Sequence, residues 1–113
     1  MPRPLTLSAT ETAAIREFIA RVRDTLGADL RSARLFGSRA RGEGHEGSDL
    51  DIALLVTPEG RARRHVLYDL AYDVSLAHGV ELAPLVLEER RFEELKERER
   101  RIAHDIDTDG IAL

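Results

Sequence analysis

Apolar positions set out the elements of this chain. Ala14, Ile15, Phe18, Ile19, Val22 and Leu26 recur at three- and four-residue spacing, the period of a helix with one buried face. Ser8-Ala9-Thr10-Glu11 stands before them as a capping box, and Gly27 is a natural stop. A short strand is predicted over Ala33 to Phe36, ending at Gly37. Ser48 to Val56 alternates, with Leu50, Ile52, Leu54 and Val56 on one face and Asp49, Asp51, Ala53 and Leu55 on the other. Pro58 and Gly60 close that strand. A second helix runs from about Arg61 to His78 on the stripe Val66, Leu67, Leu70, Ala71, Val74 and Ala77, and Gly79 ends it. Val80 to Leu87 is a third strand. Pro84 cannot donate to a ladder, so this strand lies at an edge or carries a bulge. The last helix starts near Glu89, with Phe92, Leu95, Ile102 and Ile106 as a sparse seam, and the tail DTDGIAL reads as a loop with a short docked end.

The order α-β-β-α-β-α predicts an α/β domain, a small mixed β-sheet flanked by helices. Three strands make a thin sheet, so a fourth is expected near the C-terminus or from a partner. The 113 residues suit a single domain over 1–113. Absence of cysteine excludes disulfides, zinc-thiolate sites and thiol catalysis. No apolar run reaches the roughly 20 residues that span a membrane, and MPRPLTLSAT lacks the apolar core of a secretory signal. A cytoplasmic setting is the expectation. The 17 Lys and Arg against 21 Asp and Glu, a net of -4, argue against bulk attraction to nucleic acid.

One stretch carries chemistry: LFGSRARGEGHEGSDLDIALLV, Leu35 to Val56. It reads as strand, Gly-Ser turn with one helical turn, open loop, and a strand opening on Asp-x-Asp. Asp49 and Asp51 leave the same strand face with Cα atoms about 6.5–7 Å apart. Paired carboxylates repel unless a cation sits between them. Mg²⁺ suits such oxygen ligands and commonly shares them with substrate phosphates, and two ions can clamp the attacking and leaving oxygens of a phosphoryl transfer. Gly37 lets the backbone approach a phosphate, and amides at the start of a helical turn with the Ser38 hydroxyl form an anion site. Arg39 and Arg41 are either cations within reach of a triphosphate or solvated loop residues. Ser48 reads first as a turn or cap residue, then as a nucleotide contact. Tyr68 and Tyr72, four apart, read as a core or interface edge. The run EERRFEELKERERR reads as a helix laced with ion pairs, or as a surface that meets a partner.

The Gly-Ser turn and the Asp-x-Asp strand together resemble the signature of the DNA polymerase β-like nucleotidyltransferase superfamily. In size and ending the chain is similar to its minimal nucleotidyltransferase (MNT) family. That resemblance implies ATP as substrate, its triphosphate held by Gly37 and Ser38, and two Mg²⁺ ions on Asp49 and Asp51; Arg39, Arg41 and Ser48 join them as candidate nucleotide contacts by their own chemistry and position. It also implies a third acid on a neighbouring strand, where this sequence offers Glu81. The family further implies an antitoxin role beside a helical HEPN toxin, with AMP transferred from ATP to a toxin tyrosine and pyrophosphate released. Were the third acid not in place, the implied alternative is a degenerate enzyme that neutralises its partner by binding alone. No direct contact with nucleic acid or membrane is expected.

Overall fold

Ser8 opens the first helix by the expected reciprocal cap. Its hydroxyl accepts from the Glu11 N–H (3.0 Å), and its own N–H donates to Glu11 Oε1 (2.9 Å). The helix, α1 (Ala9–Leu26), stops at Gly27, and a 3-10 turn over Gly27–Asp29 leads into strand β1 (Leu30–Phe36). The computed structural model describes residues 7–45 and 47–113. Residues 1–6, part of the segment read above as lacking a secretory signal, and residue 46 of the predicted loop lie outside the described residues.

Strand β2 (Leu50–Val56) runs antiparallel to β1, from Leu30 opposite Val56 to Phe36 opposite Asp51. β1 therefore begins three residues before the predicted Ala33, because β2 offers a full-length partner. The predicted second helix is two pieces, α2 (Pro58–Ala62) and α3 (Arg64–His78). Thr57 caps α2, its hydroxyl accepting from the Gly60 N–H (3.1 Å) and donating to Asp29 Oδ1 (2.8 Å). Gly79 ends α3 with φ +67°, a left-handed conformation that glycine adopts freely. Strand β3 (Leu82–Glu88) lies parallel to β2, with Leu50 opposite Leu82 and Asp51 opposite Ala83.

The last helix is also divided, into α4 (Glu89–Glu97) and α5 (Arg101–Asp109), with Glu99 between them at φ +54°. The fourth strand comes from the chain itself. β4 (Ile111–Ala112) pairs antiparallel with β1, giving the order β3-β2-β1-β4. Pro84 thus lies in an edge strand, as expected. The Leu50 N–H donates to the Glu81 carbonyl (2.9 Å). In a parallel ladder that phase turns the main-chain groups of 81 and 83 toward β2, and those of 82, 84 and 86 toward the free edge. The missing N–H of Pro84 costs no rung.

Both sheet faces are covered. On one, Leu50, Ile52, Leu54 and Val56 pack with Phe18 and Val22 of α1, Leu67 and Val74 of α3, and Leu82 and Val86 of β3. On the other, Ala53 and Leu55 pack with Phe92 of α4 and Ala103 and Ile106 of α5. The strand alternation is therefore apolar on both sides over Ala53 to Val56, and polar only at the Asp51 end. That end is where one sheet face stays open. No helix of the described residues is long and apolar enough to cross a membrane.

Candidate active site

The site forms where β1 ends and β2 begins. Gly37 leaves β1 with φ +78°, and the chain makes one helical turn, with the Arg41 N–H donating to the Gly37 carbonyl (3.2 Å). A Cβ at position 37 would collide with Asp51 Oδ2 and lie 3.1 Å from its Cγ. Glycine is needed here twice, for its left-handed φ and for the carboxylate that rests on it. The loop then folds back on itself. The amides of Glu43 and Gly44 both donate to the Ser38 carbonyl (2.9 and 3.3 Å), and a Cβ at Gly44 would lie 3.0 Å from Ser38 Oγ. Gly37, Ser38 and Asp51 are thus brought together by backbone closure.

Asp49 is exposed just ahead of β2, and Asp51 is half-buried within it. Burial raises the Asp51 carboxyl above its ordinary value, the Asp49 charge raises it further, and Arg41 opposes both. Two carboxylates that cannot both ionise at ease are a donor set that a hard cation relieves. Mg²⁺ is commonly held by one or two carboxylates together with substrate phosphates, so this pair fits that ion.

Glu81 stands one position ahead of the Leu50–Leu82 pairing, level with Asp49 on the neighbouring strand. It is exposed, one residue ahead of β3, and lines a groove of about 490 Å³ with Tyr68, Tyr72, Ser75, Leu76 and Pro84. Among the described residues, no three His, Asp or Glu side chains gather around a metal position. The residue opposite Asp51 on β3 is Ala83, so the strand neighbour that could have faced Asp51 carries no carboxylate. Tyr68 and Tyr72 are surface residues of α3, 42 % and 65 % exposed, and not part of the core.

The loop arginines divide. Arg41 stays at the mouth, its Nε 3.0 Å from Glu43 and its Nη1 3.9 Å from Asp109 of α5. Arg39, expected at the triphosphate, turns inward and is 3 % exposed. Its two Nη atoms donate to the two oxygens of Glu11 (2.6 and 2.7 Å), and Nη1 also reaches the Ser48 carbonyl (3.2 Å). This corrects the expectation: a cation beside a phosphate turn found a buried carboxylate, which neutralises it better than solvent-exposed phosphate would. Ser48 serves the turn, its hydroxyl accepting from the His45 N–H (3.1 Å). Glu11 is the residue the sequence reading missed as part of this region. Its place in the capping box already explained it, and nothing local signalled a second partner 28 residues away.

Residues 21–113 match the family described as Polymerase beta, Nucleotidyltransferase. Over 77 residues the chain is 36 % identical to MJ1305 of Methanocaldococcus jannaschii, named as a candidate protein adenylyltransferase. That alignment covers 66 % of this chain and 52 % of MJ1305, so the chain spans about half the length of that relative. A solved structure described as a candidate minimal nucleotidyltransferase is 27 % identical, with TM-score 0.52, covering 96 % of this chain and 99 % of its own. A toxin–antitoxin crystal structure with AMP-PNP shares the fold at TM-score 0.53 and 23 % identity, over 85 % of this chain and 69 % of that one.

Proposed function

The chain belongs to the polymerase beta nucleotidyltransferase family, and from that premise we propose that it transfers AMP from ATP to a tyrosine of a helical HEPN-type toxin. The reaction is in-line attack of the tyrosine oxygen on the α-phosphorus. The bond to pyrophosphate breaks as the new ester forms, and the tyrosine proton leaves to solvent. The observation that carries this reading is the closure of the Gly37–Ser38 turn onto the Asp51 carboxylate, which sets a phosphate-binding turn against an acidic strand opening.

Each residue then has a task. The amides after Gly37 and the Ser38 hydroxyl bind phosphate oxygens. Asp49 and Asp51 would hold Mg²⁺, which supplies charge neutralisation and alignment of the α-phosphate. Arg41, at the mouth, is placed to exchange Asp109 for a phosphate. The remaining contribution is positioning, worth several orders of magnitude when reacting atoms are held in line. The description of MJ1305 as a candidate protein adenylyltransferase supports a protein acceptor, and the fold shared with a toxin–antitoxin crystal structure supports a toxin as that acceptor.

Ala83 opposite Asp51 favours a second reading, in which the chain binds nucleotide and neutralises its partner by binding alone. One experiment separates the two. The protein is incubated with α-labelled ATP, Mg²⁺ and the protein encoded beside it. Label on a partner tyrosine that disappears in Asp49→Asn/Asp51→Asn and on chelation of Mg²⁺ is the expected result. An unlabelled partner that is still neutralised by the double variant establishes binding alone.

A further inference from the structure

We propose that the buried Glu11–Arg39 pair is a positioning device for the nucleotide site, fixing the turn that carries Ser38 relative to the chain that enters β2 at Asp49. The proposal rests on the nucleotide reading of that site and adds two residues to it that touch neither metal nor phosphate.

The geometry is a three-way clamp. Glu11 is first immobilised by α1 itself, through its capping contacts with Ser8. Both of its oxygens then take the Arg39 fork (2.6 and 2.7 Å). The same guanidinium donates to the Ser48 carbonyl (3.2 Å). Arg39 follows Ser38 directly, and Ser48 precedes Asp49 directly. One planar group therefore ties the phosphate turn, the metal strand and the first turn of α1 at fixed distances. The loop seals the clamp, since a Cβ on Gly44 would lie 2.5 Å from Arg39 Cδ.

Stability alone is a poor account of such a pair. Desolvating two charges offsets most of their attraction, and apolar residues of similar size often replace a buried ion pair without loss. What apolar residues cannot supply is direction. A bidentate arginine–carboxylate contact fixes both distance and plane, and the third bond to the Ser48 carbonyl extends that constraint across the loop. The distance it governs is the one over which a nucleotide would have to be held at once by its phosphates and through its metals, where a displacement of about 1 Å can cost about a hundredfold in rate.

The test uses Glu11→Leu/Arg39→Met, which keeps volume and removes both charges, with Arg39→Lys, which keeps the charge and loses the fork. Melting temperature first establishes that the variants fold. Hydrogen exchange of the Glu43, Gly44 and Ser48 amides is then compared with that of the β2 amides, and MgATP affinity is measured by titration. We expect loop exchange to rise about tenfold or more with β2 unchanged, and MgATP to bind about tenfold or more weaker in both variants. Folded variants whose loop exchange and MgATP affinity stay within about twofold of the parent overturn the proposal. A parent protein that binds no MgATP overturns the nucleotide reading instead, and the exchange comparison still decides whether the pair holds the two segments. Should Glu11→Leu/Arg39→Met fail to fold, Arg39→Lys decides by the same measurements.

Discussion

The Asp51 carboxylate lies in the space that a side chain at position 37 would occupy, so Gly37 and Asp51 are fitted to each other across the β1–β2 ladder. Gly37→Ala has to move one of them, and it also strains a φ of +78°. The expected cost is about 1–3 kcal/mol of stability, with loss of MgATP binding. Gly37→Ala/Asp51→Ala recovers part of the stability and none of the binding. Calorimetry and nucleotide titration on the three proteins check this.

Asp51→Asn is expected to stabilise the metal-free protein at neutral pH. The folded carboxyl is raised above its ordinary 3.8 by burial and by Asp49. The unfolded chain therefore ionises first, and stability present below pH 3.8 is lost as pH rises toward the folded value. Removing the charge should raise the melting temperature at pH 7 and leave it nearly unchanged at pH 3.5. Added MgATP should stabilise the parent much more than the variant. A variant that melts below the parent at pH 7 contradicts this.

Arg41→Ala should act on binding more than on folding. Its partners, Glu43 and Asp109, are partly exposed, and such pairs contribute at most about 1 kcal/mol. Without Arg41 the Asp51 carboxyl loses the charge that opposes its rise. The apparent KM for ATP is expected to rise about tenfold or more, as for loss of a charge-assisted contact of about 1.5–3 kcal/mol, and the metal dependence to shift to higher pH. Steady-state kinetics against pH read both.

Acid unfolding should carry the mark of Glu11. Arg39 and the Ser8 cap hold its carboxyl at about 2, against 4.5 when free. A lowered value means stability that is whole above pH 4.5 and is lost as pH falls toward 2, roughly 3 kcal/mol in all. Glu11→Gln lacks that part of the slope. Denaturant titrations between pH 7 and 2.5 should give curves for the two proteins that converge at the acid end.

Phe92→Ala tests the second sheet face. The ring is 2 % exposed among Ala53, Leu55, Ala103 and Ile106, and Lys96 and Arg34 lie 5.3 and 5.9 Å from its centroid. The expected loss is about 3–5 kcal/mol, measured by chemical denaturation.

Strong local patterns carried most of the fold into the sequence. The Ser8–Glu11 box, the α1 stripe, the β2 alternation and the acidic opening of β2 each act within a few residues, so periodicity exposes them. The break between α4 and α5 does not show that way. KERER contains neither glycine nor proline, and the bend at Glu99 follows from bringing Phe92 and Ile106 onto the same sheet face. β4 is only two residues long and takes its conformation from β1. At the site, Gly37, Ser38, Asp49 and Asp51 were readable as a motif. The inward turn of Arg39 was not, because the carboxylate that draws it in belongs to a helix whose cap already accounted for it. Glu81 is the acid that the sequence offers on the matching strand, and only the strand register shows that Ala83 is the residue opposite Asp51.

Pro84 governs how other molecules can approach the outer rim of β3. The backbone positions that face outward there are 82, 84, 86 and 88, and the second of them lacks a hydrogen to offer. A foreign strand laid along that rim would leave the carbonyl that faces Pro84 unanswered. Association on this flank is thereby steered to side chains, and runaway edge-to-edge stacking of copies is discouraged at the level of the covalent chain.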